Sequence, residues 1–228
     1  ERETRVLPWL LNTIQRKYYG RRTSSSQQTV KTISTRLVEA GISDSLLKKA
    51  QASFISTIIR GQGDVSEDDD RMLCNKDPFV LSHIDVLSSM FPTAKFIHCI
   101  RDGRAVTNSI LQRDVKISNV KKGNITGILK KWGTFTSRVS QICAEVGEDR
   151  CLNVHYEEVI QSPEATLRKL AHFIGVEFSP QMLRYYEGTQ SGVVPLSKRE
   201  LSTQQVKNPL YNTSVAKWRS GPVGQHIL

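Results

Sequence analysis

The sequence has no run near the roughly 18 consecutive apolar residues that a membrane-spanning helix needs. No leader-like segment is visible either. The chain opens on Glu1 rather than methionine, so it reads as a piece whose targeting segment could lie upstream. Its four cysteines, Cys74, Cys99, Cys143 and Cys151, include no CxxC pair, so no zinc site is expected. Aromatic residues make up only 7%, without a stacking platform or an RRM- or OB-like motif for single strands. Internal repeats are absent. Acidic residues are outnumbered, 22 against 32 Lys and Arg, which leaves a net charge of +10 and a pI of about 9.6.

What is present is a globular composition, 38% apolar and 24% charged over 228 residues. That suffices for one domain spanning residues 1–228. The positive charge is a solvated basic surface or a surface for an anionic partner: nucleic acid, a nucleotide phosphate, an anionic membrane or an acidic peptide. Charge alone does not choose among them. Cys143 and Cys151 flank a loop, Glu145 to Arg150, and could close it as a disulfide. The triplets Asn124-Ile125-Thr126 and Asn212-Thr213-Ser214 are glycosylation sequons, which suit a secretory compartment.

The middle of the chain alternates strands and helices. A short strand is expected over Arg71–Asn75. Asp77 then caps a helix with Pro78 at its first position and apolar residues through Phe91. Pro92-Thr93 makes a turn before a buried strand, Lys95–Ile100, and a helix from about Gly103 to Arg113. A longer helix runs from about Gly127 to Glu145, with Gly147 suited to its C-cap. Cys151–His155 is the next strand. Ser162-Pro163 opens a helix through Ile174 that Gly175 stops, and Ser179-Pro180 opens another. Residues 21–36 and 66–70 read as surface loops. In the polar tail beyond Leu196, Trp218 is the expected anchor. This order predicts an α/β fold with a parallel sheet flanked by helices. In such sheets ligands bind beyond the carboxyl ends of the strands, here just after Asn75, Ile100 and His155.

Three clusters could carry chemistry there. Ile100-Arg101-Asp102-Gly103-Arg104-Ala105 leaves a strand, and Ser109 and Arg113 stand four apart on the helix that follows. Two guanidinium groups and a hydroxyl suit a terminal phosphate, although arginines that pair with surface carboxylates give the same spacing. Cys74-Asn75-Lys76-Asp77-Pro78 places a lysine where it could stabilise a leaving oxygen, or where it pairs with Asp77. Glu1-Arg2-Glu3-Thr4-Arg5 sets a carboxylate beside an arginine, a general base next to an anion-binding group or a frayed charged end.

Taken in order, Glu3-Thr4-Arg5, Asn75-Lys76-Asp77-Pro78, Ile100-Arg101-Asp102-Gly103-Arg104 with Ser109 and Arg113, Val154-His155-Tyr156-Glu157, and Leu196-Ser197-Lys198 through Ser202-Thr203 to Lys217-Trp218 resemble the tyrosylprotein sulfotransferases. The resemblance runs from about Glu1 to Trp218. It implies a P-loop-like sulfotransferase fold in a type II Golgi membrane protein whose catalytic part is luminal. The implied reaction moves a sulfuryl group from 3′-phosphoadenosine 5′-phosphosulfate to tyrosine hydroxyls in acidic peptides. A homodimer is also implied; a metal and a nucleic-acid partner are not expected.

By position, the resemblance makes Glu3 the catalytic base and sets Arg5, Val6, Leu7, Pro8 and Trp9 against the peptide. Arg101, Ser109, Arg113 and Tyr156 are implied to bind the nucleotide, the first two at its 3′-phosphate. The stretch Ser202 to Tyr211 and Lys217 complete that site. Lys76 and Ser202 flank the bridging oxygen, and Cys143–Cys151 matches a family disulfide. The family's first strand and phosphosulfate loop would lie upstream of Glu1 and are missing from this chain, so these 228 residues alone are expected to be inactive. The family partner of Cys74 also falls just before Glu1, and Cys99 is extra to the pattern. The rival readings are a sulfotransferase acting on a carbohydrate or small molecule, and a non-catalytic nucleotide- or nucleic-acid-binding module.

Overall fold

A computed structural model describes residues 36, 39–63, 72–78, 80–192 and 205–227. They fall into two compact units that divide between Thr93 and Ala94. The expected surface loops over 21–36 and 66–70 lie outside the described residues, Arg36 apart.

In the first unit, α1 spans Asp44–Gly63. Ser43 starts it, because its hydroxyl accepts from the Leu46 N–H at 3.1 Å and so satisfies one of the four donors a helix start leaves open. A 3-10 turn over Val80–His83 leads into α2, Ile84–Met90, which packs against α1. Ile55, Ile84, Leu87 and Met90 are the buried apolar side chains here. Two expectations need correction. Residues 72–77 carry no strand; a strand forms only where a neighbour completes its ladder, and none does among the described residues of this unit. The helix expected from Pro78 begins later and tighter, since the Val80 N–H bonds the Asp77 carbonyl three residues back at 3.2 Å.

The second unit is built on two parallel strands, β1 (Phe96–Ile100) and β2 (Cys151–His155). Parallel strands need a long crossover, and here it is helical. Helix α3 spans Gly103–Gln112 and α4 spans Ile125–Val146; α4 packs against both strands. Strand β1 is only half-buried, with His98 inside and Cys99 exposed. Asn124 caps α4, its side chain accepting from the Gly127 N–H at 2.8 Å. Gly147 ends α4 at φ 101°, a conformation that favours glycine. Across that turn Cys143 and Cys151 form a disulfide, closing a separation of 8 residues. A loop of that size stabilises by about 2–3 kcal/mol in the chain-entropy account.

Helix α5 (Tyr156–Gln161) follows β2 without a break, and α6 runs Pro163–Ile174 to Gly175 at φ 80°. A 3-10 turn, Pro180–Arg184, precedes α7, Tyr185–Gln190. After a 3-10 turn at Gln205–Lys207 come α8 (Thr213–Ala216), a 3-10 turn (Lys217–Ser220) and α9 (Pro222–Ile227). This last segment lies on α3, where Trp218 and Val223 bury against Ala105 with Leu111 and Ile125 beside them. Among the described residues no helix is long and apolar enough to cross a membrane.

His98 shows what the strand pair demands of its sequence. It is 2% exposed and its Nδ1–H donates to Asn153 Oδ1, its register partner, at 3.0 Å. Burial pulls its pKa below the usual value; the Asn153 bond opposes this and the charge of His155 adds to it. The fold therefore prefers the neutral ring, so the unfolded chain takes up protons first as pH falls. Stability should be full above an unfolded histidine pKa of about 6.5 and decline as pH falls from there through the lowered folded value. Denaturant titrations between pH 5 and 8 should show that decline, and His98→Gln should make it shallower. Identical slopes for the two proteins would contradict this account.

Candidate functional site

Register decides where the site lies. Ile100 and His155 are paired, so β1 and β2 end at the same level and release Arg101 and Tyr156 side by side. The Arg101 guanidinium lies over the Tyr156 ring, 4.8 Å from its centroid. Arg101 Nη2 donates to the backbone carbonyl of Ser214 at 2.8 Å. The Tyr156 hydroxyl bonds the Ser214 hydroxyl at 2.7 Å. One residue further along each strand end, Glu157 Oε1 accepts from the Asp102 N–H at 3.0 Å. Both strand ends and the C-terminal segment thus meet around one guanidinium.

Asp102 fixes how α3 leaves this point. Its side chain accepts from the Arg104 N–H at 2.8 Å, capping the helix, and from the Arg104 guanidinium at 2.6 Å. Burial alone would raise the Asp102 pKa, but its bonds and charge contact with Arg104 outweigh that and hold it below the ordinary value. Arg104 in turn lies 4.2 Å from the centre of the Trp218 ring. Gly103 is required by close approach: a Cβ there would fall 2.4 Å from Trp132 of α4.

Beside this cluster opens a cavity of about 490 Å³, lined by Arg101, Asp102, Arg104, Trp132, His155 and Glu157 among others. Its charges balance in number, two arginines against two carboxylates, but they are not equally committed. Asp102 and Arg104 hold each other, and Glu157 holds the Asp102 N–H. Arg101 Nε is buried and has no hydrogen-bond partner among the described residues. Thr107 Oγ1 and Asn108 Oδ1 are likewise buried without partners, but neither lines this cavity. A buried donor left unmet costs about 1–3 kcal/mol. An anion at that nitrogen would remove the cost, so the residues present fit a phosphate-bearing ligand.

The other expected site residues are distributed unevenly. Ser109 is half-buried and Arg113 exposed at the C-cap of α3, and neither side chain joins the Arg101 cluster among the described residues. Lys217 is exposed next to the buried Trp218. Of the stretch 202–211, residues 205–211 are described. Helix α7 pins that part: Tyr185 Oη donates to the Asn208 carbonyl at 2.8 Å and Gln190 Nε2 to the Lys207 carbonyl at 2.7 Å. Lys76 is exposed in the first unit, four residues before the 3-10 turn begins at Val80. Glu3, Arg5, Val6, Leu7, Pro8, Trp9 and Ser202 lie outside the described residues. No three His, Cys, Asp or Glu side chains gather as metal ligands among the described residues. Ser214 is the participant that the sequence did not reveal. Its only signal was membership of a sequon.

Comparison with known proteins shows the family. The family model of the Sulfotransferase family matches residues 1–180. The chain is 37% identical over 184 residues to "Protein-tyrosine sulfotransferase 2" of Gallus gallus, covering 80% of this chain and 48% of that one. It is 36% identical over 217 residues to "Protein-tyrosine sulfotransferase 1" of Homo sapiens, covering 95% and 55%. The chain thus spans about half the length of the curated relatives it matches. Among solved structures it resembles the "Sulfotransferase Domain from the Synechococcus PCC 7002 Olefin Synthase", with a TM-score of 0.57 at 22% identity over 92% of this chain and 67% of that one. That likeness speaks for the fold: an α/β sulfotransferase fold with a parallel sheet.

The free Arg101 donor makes a direct prediction. Arg101→Ala should weaken adenosine 3′,5′-bisphosphate by about 1.5–3 kcal/mol, the size of a lost charge-assisted bond. Calorimetry should find a much smaller loss for adenosine 5′-phosphate. Equal losses for both nucleotides would mean that Arg101 does not read the 3′-phosphate.

Proposed function

The chain belongs to the sulfotransferase family, and we propose that the protein it comes from transfers a sulfuryl group to tyrosine hydroxyls in acidic stretches of other proteins. The observation that carries this reading is the buried, unpartnered Nε of Arg101 at the end of β1, in a chain whose relatives bear the name protein-tyrosine sulfotransferase. The co-substrate, 3′-phosphoadenosine 5′-phosphosulfate, supplies the activated sulfuryl group when bound.

In this reading Arg101 and Ser109 hold the 3′-phosphate, and Arg113, Tyr156, Lys217 and the stretch Ser202 to Tyr211 complete the nucleotide contacts. Tyr156 presents its ring and keeps Arg101 against it. A phenol has a pKa near 10 and is a poor nucleophile at neutral pH. Glu3 takes the phenol proton as the oxygen attacks, general-base work worth about 10²–10⁴-fold. Lys76 and Ser202 meet the negative charge that grows on the leaving side, the main electrostatic contribution by analogy with phosphoryl transfer. Arg5 with Val6, Leu7, Pro8 and Trp9 lies along the acceptor peptide.

The acceptor chemistry follows from charge. A net +10 chain attracts carboxylate-flanked tyrosines and speeds their encounter. The Cys143–Cys151 disulfide and the two sequons support an oxidising secretory compartment, and we place the catalytic part in the Golgi lumen on that ground.

The test is the full-length protein given sulfur-labelled donor and three peptides: acidic with Tyr, the same with Phe in its place, and basic with Tyr. Label should enter the acidic Tyr peptide alone, and rising salt should reduce peptide use more than nucleotide binding. Equal label in the two Tyr peptides would remove the acidic acceptor. Label on a sugar acceptor but on no peptide would overturn the tyrosine assignment.

A further inference from the structure

Ser214 touches the candidate nucleotide site twice, through two different groups. Its carbonyl takes a hydrogen bond from Arg101 Nη2, and its hydroxyl bonds the Tyr156 hydroxyl. Resting on the reading that Arg101 meets the 3′-phosphate, we infer that Ser214 is a positioning residue that sets the Arg101 guanidinium for that phosphate by locking Tyr156 to the C-terminal segment.

Ser214 lies in α8. Helix α8 has 4 residues, too few to hold itself together, so its place depends on tertiary contacts. The turn that follows it is anchored by Trp218, 5% exposed, in the core beneath α3. Among the described residues, the Ser214–Tyr156 bond is the one side-chain hydrogen bond that ties α8 to the end of β2. If it is lost, α8 and the Tyr156 ring can shift independently.

Arg101 depends on both. A free arginine side chain samples many rotamers, and each one held in place beforehand is ordering that a ligand need not supply. Here one face of the guanidinium rests on the Tyr156 ring and one N–H is held by the Ser214 carbonyl. Of the donors that remain, Nε is buried and has no partner among the described residues. The hydroxyl pair therefore acts at second hand. It does not touch the phosphate; it keeps ring and carbonyl in the arrangement that holds the guanidinium in place.

A lost net hydrogen bond predicts the size of the effect. In the full-length protein, Ser214→Ala should weaken adenosine 3′,5′-bisphosphate roughly three- to tenfold. Adenosine 5′-phosphate, which offers nothing to Arg101, should bind as to the parent protein. Tyr156→Phe should weaken the bisphosphate by a similar factor. The double variant should be no worse than either single one, because both remove one bond. Ser214→Thr keeps the hydroxyl and should restore affinity. If Ser214→Ala loses both nucleotides equally, Ser214 supports the fold and the proposal is overturned. If it binds the bisphosphate as the parent does, the proposal alone fails. A parent protein that does not bind the bisphosphate would overturn the functional reading and this inference together.

Discussion

Ile100 and His155 face each other across two parallel strands, and most of the site follows from that pairing. A shift of one residue would send Arg101 and Tyr156 to opposite faces of the sheet. The register is held at both ends and in the middle. The Cys143–Cys151 disulfide ties the start of β2 to the end of α4, which packs on both strands. His98 and Asn153 bond across the centre. At the far end, Glu157 accepts the Asp102 N–H, so the chain leaving β1 and the chain leaving β2 are joined again just past the ladder.

Magnitudes explain why the fold tolerates an unmet donor at this spot. The cation–π contact with Tyr156 is worth about 0.5–2 kcal/mol. The bond to the Ser214 carbonyl adds about 1.5–3 kcal/mol, as hydrogen bonds to charged groups do. Leaving Nε buried and unpartnered costs about 1–3 kcal/mol, so the two contacts offset it. The guanidinium stays in place without a ligand and still gains from one. The C-terminal segment is essential to this balance. It brings Ser214, and it is held by Trp218 and Val223 against Ala105, with Arg104 lying on the outer face of Trp218.

Punctuation residues made much of the fold legible. Gly147 and Gly175 end their helices at positive φ, and Pro163 opens its helix where the Ser-Pro pair indicated. Strand β2 has the expected limits because turn residues bound its apolar run. The run at 72–75 has the same local look but no ladder, since a strand's existence depends on a neighbour that the local sequence does not contain. Within the site, Arg101 and Tyr156 were readable because both follow strand ends. Ser214 was not: its contacts join residues 113 and 58 positions apart, and a serine in a polar tail gives no local signal. Ser109 and Arg113 illustrate the opposite limit. Their spacing puts them on one helix face, yet spacing does not bring them to Arg101, whose partners lie on β2 and α8.

The account stands on one atom, the Nε of Arg101, as the donor that receives the nucleotide's 3′-phosphate. The most direct measurement is a crystal structure of the full-length protein with adenosine 3′,5′-bisphosphate. The account predicts a 3′-phosphate oxygen within hydrogen-bond distance of Arg101 Nε, with the Tyr156 stack and the Ser214 contacts kept. A 3′-phosphate bound elsewhere, with Arg101 Nε still unpartnered, would contradict it.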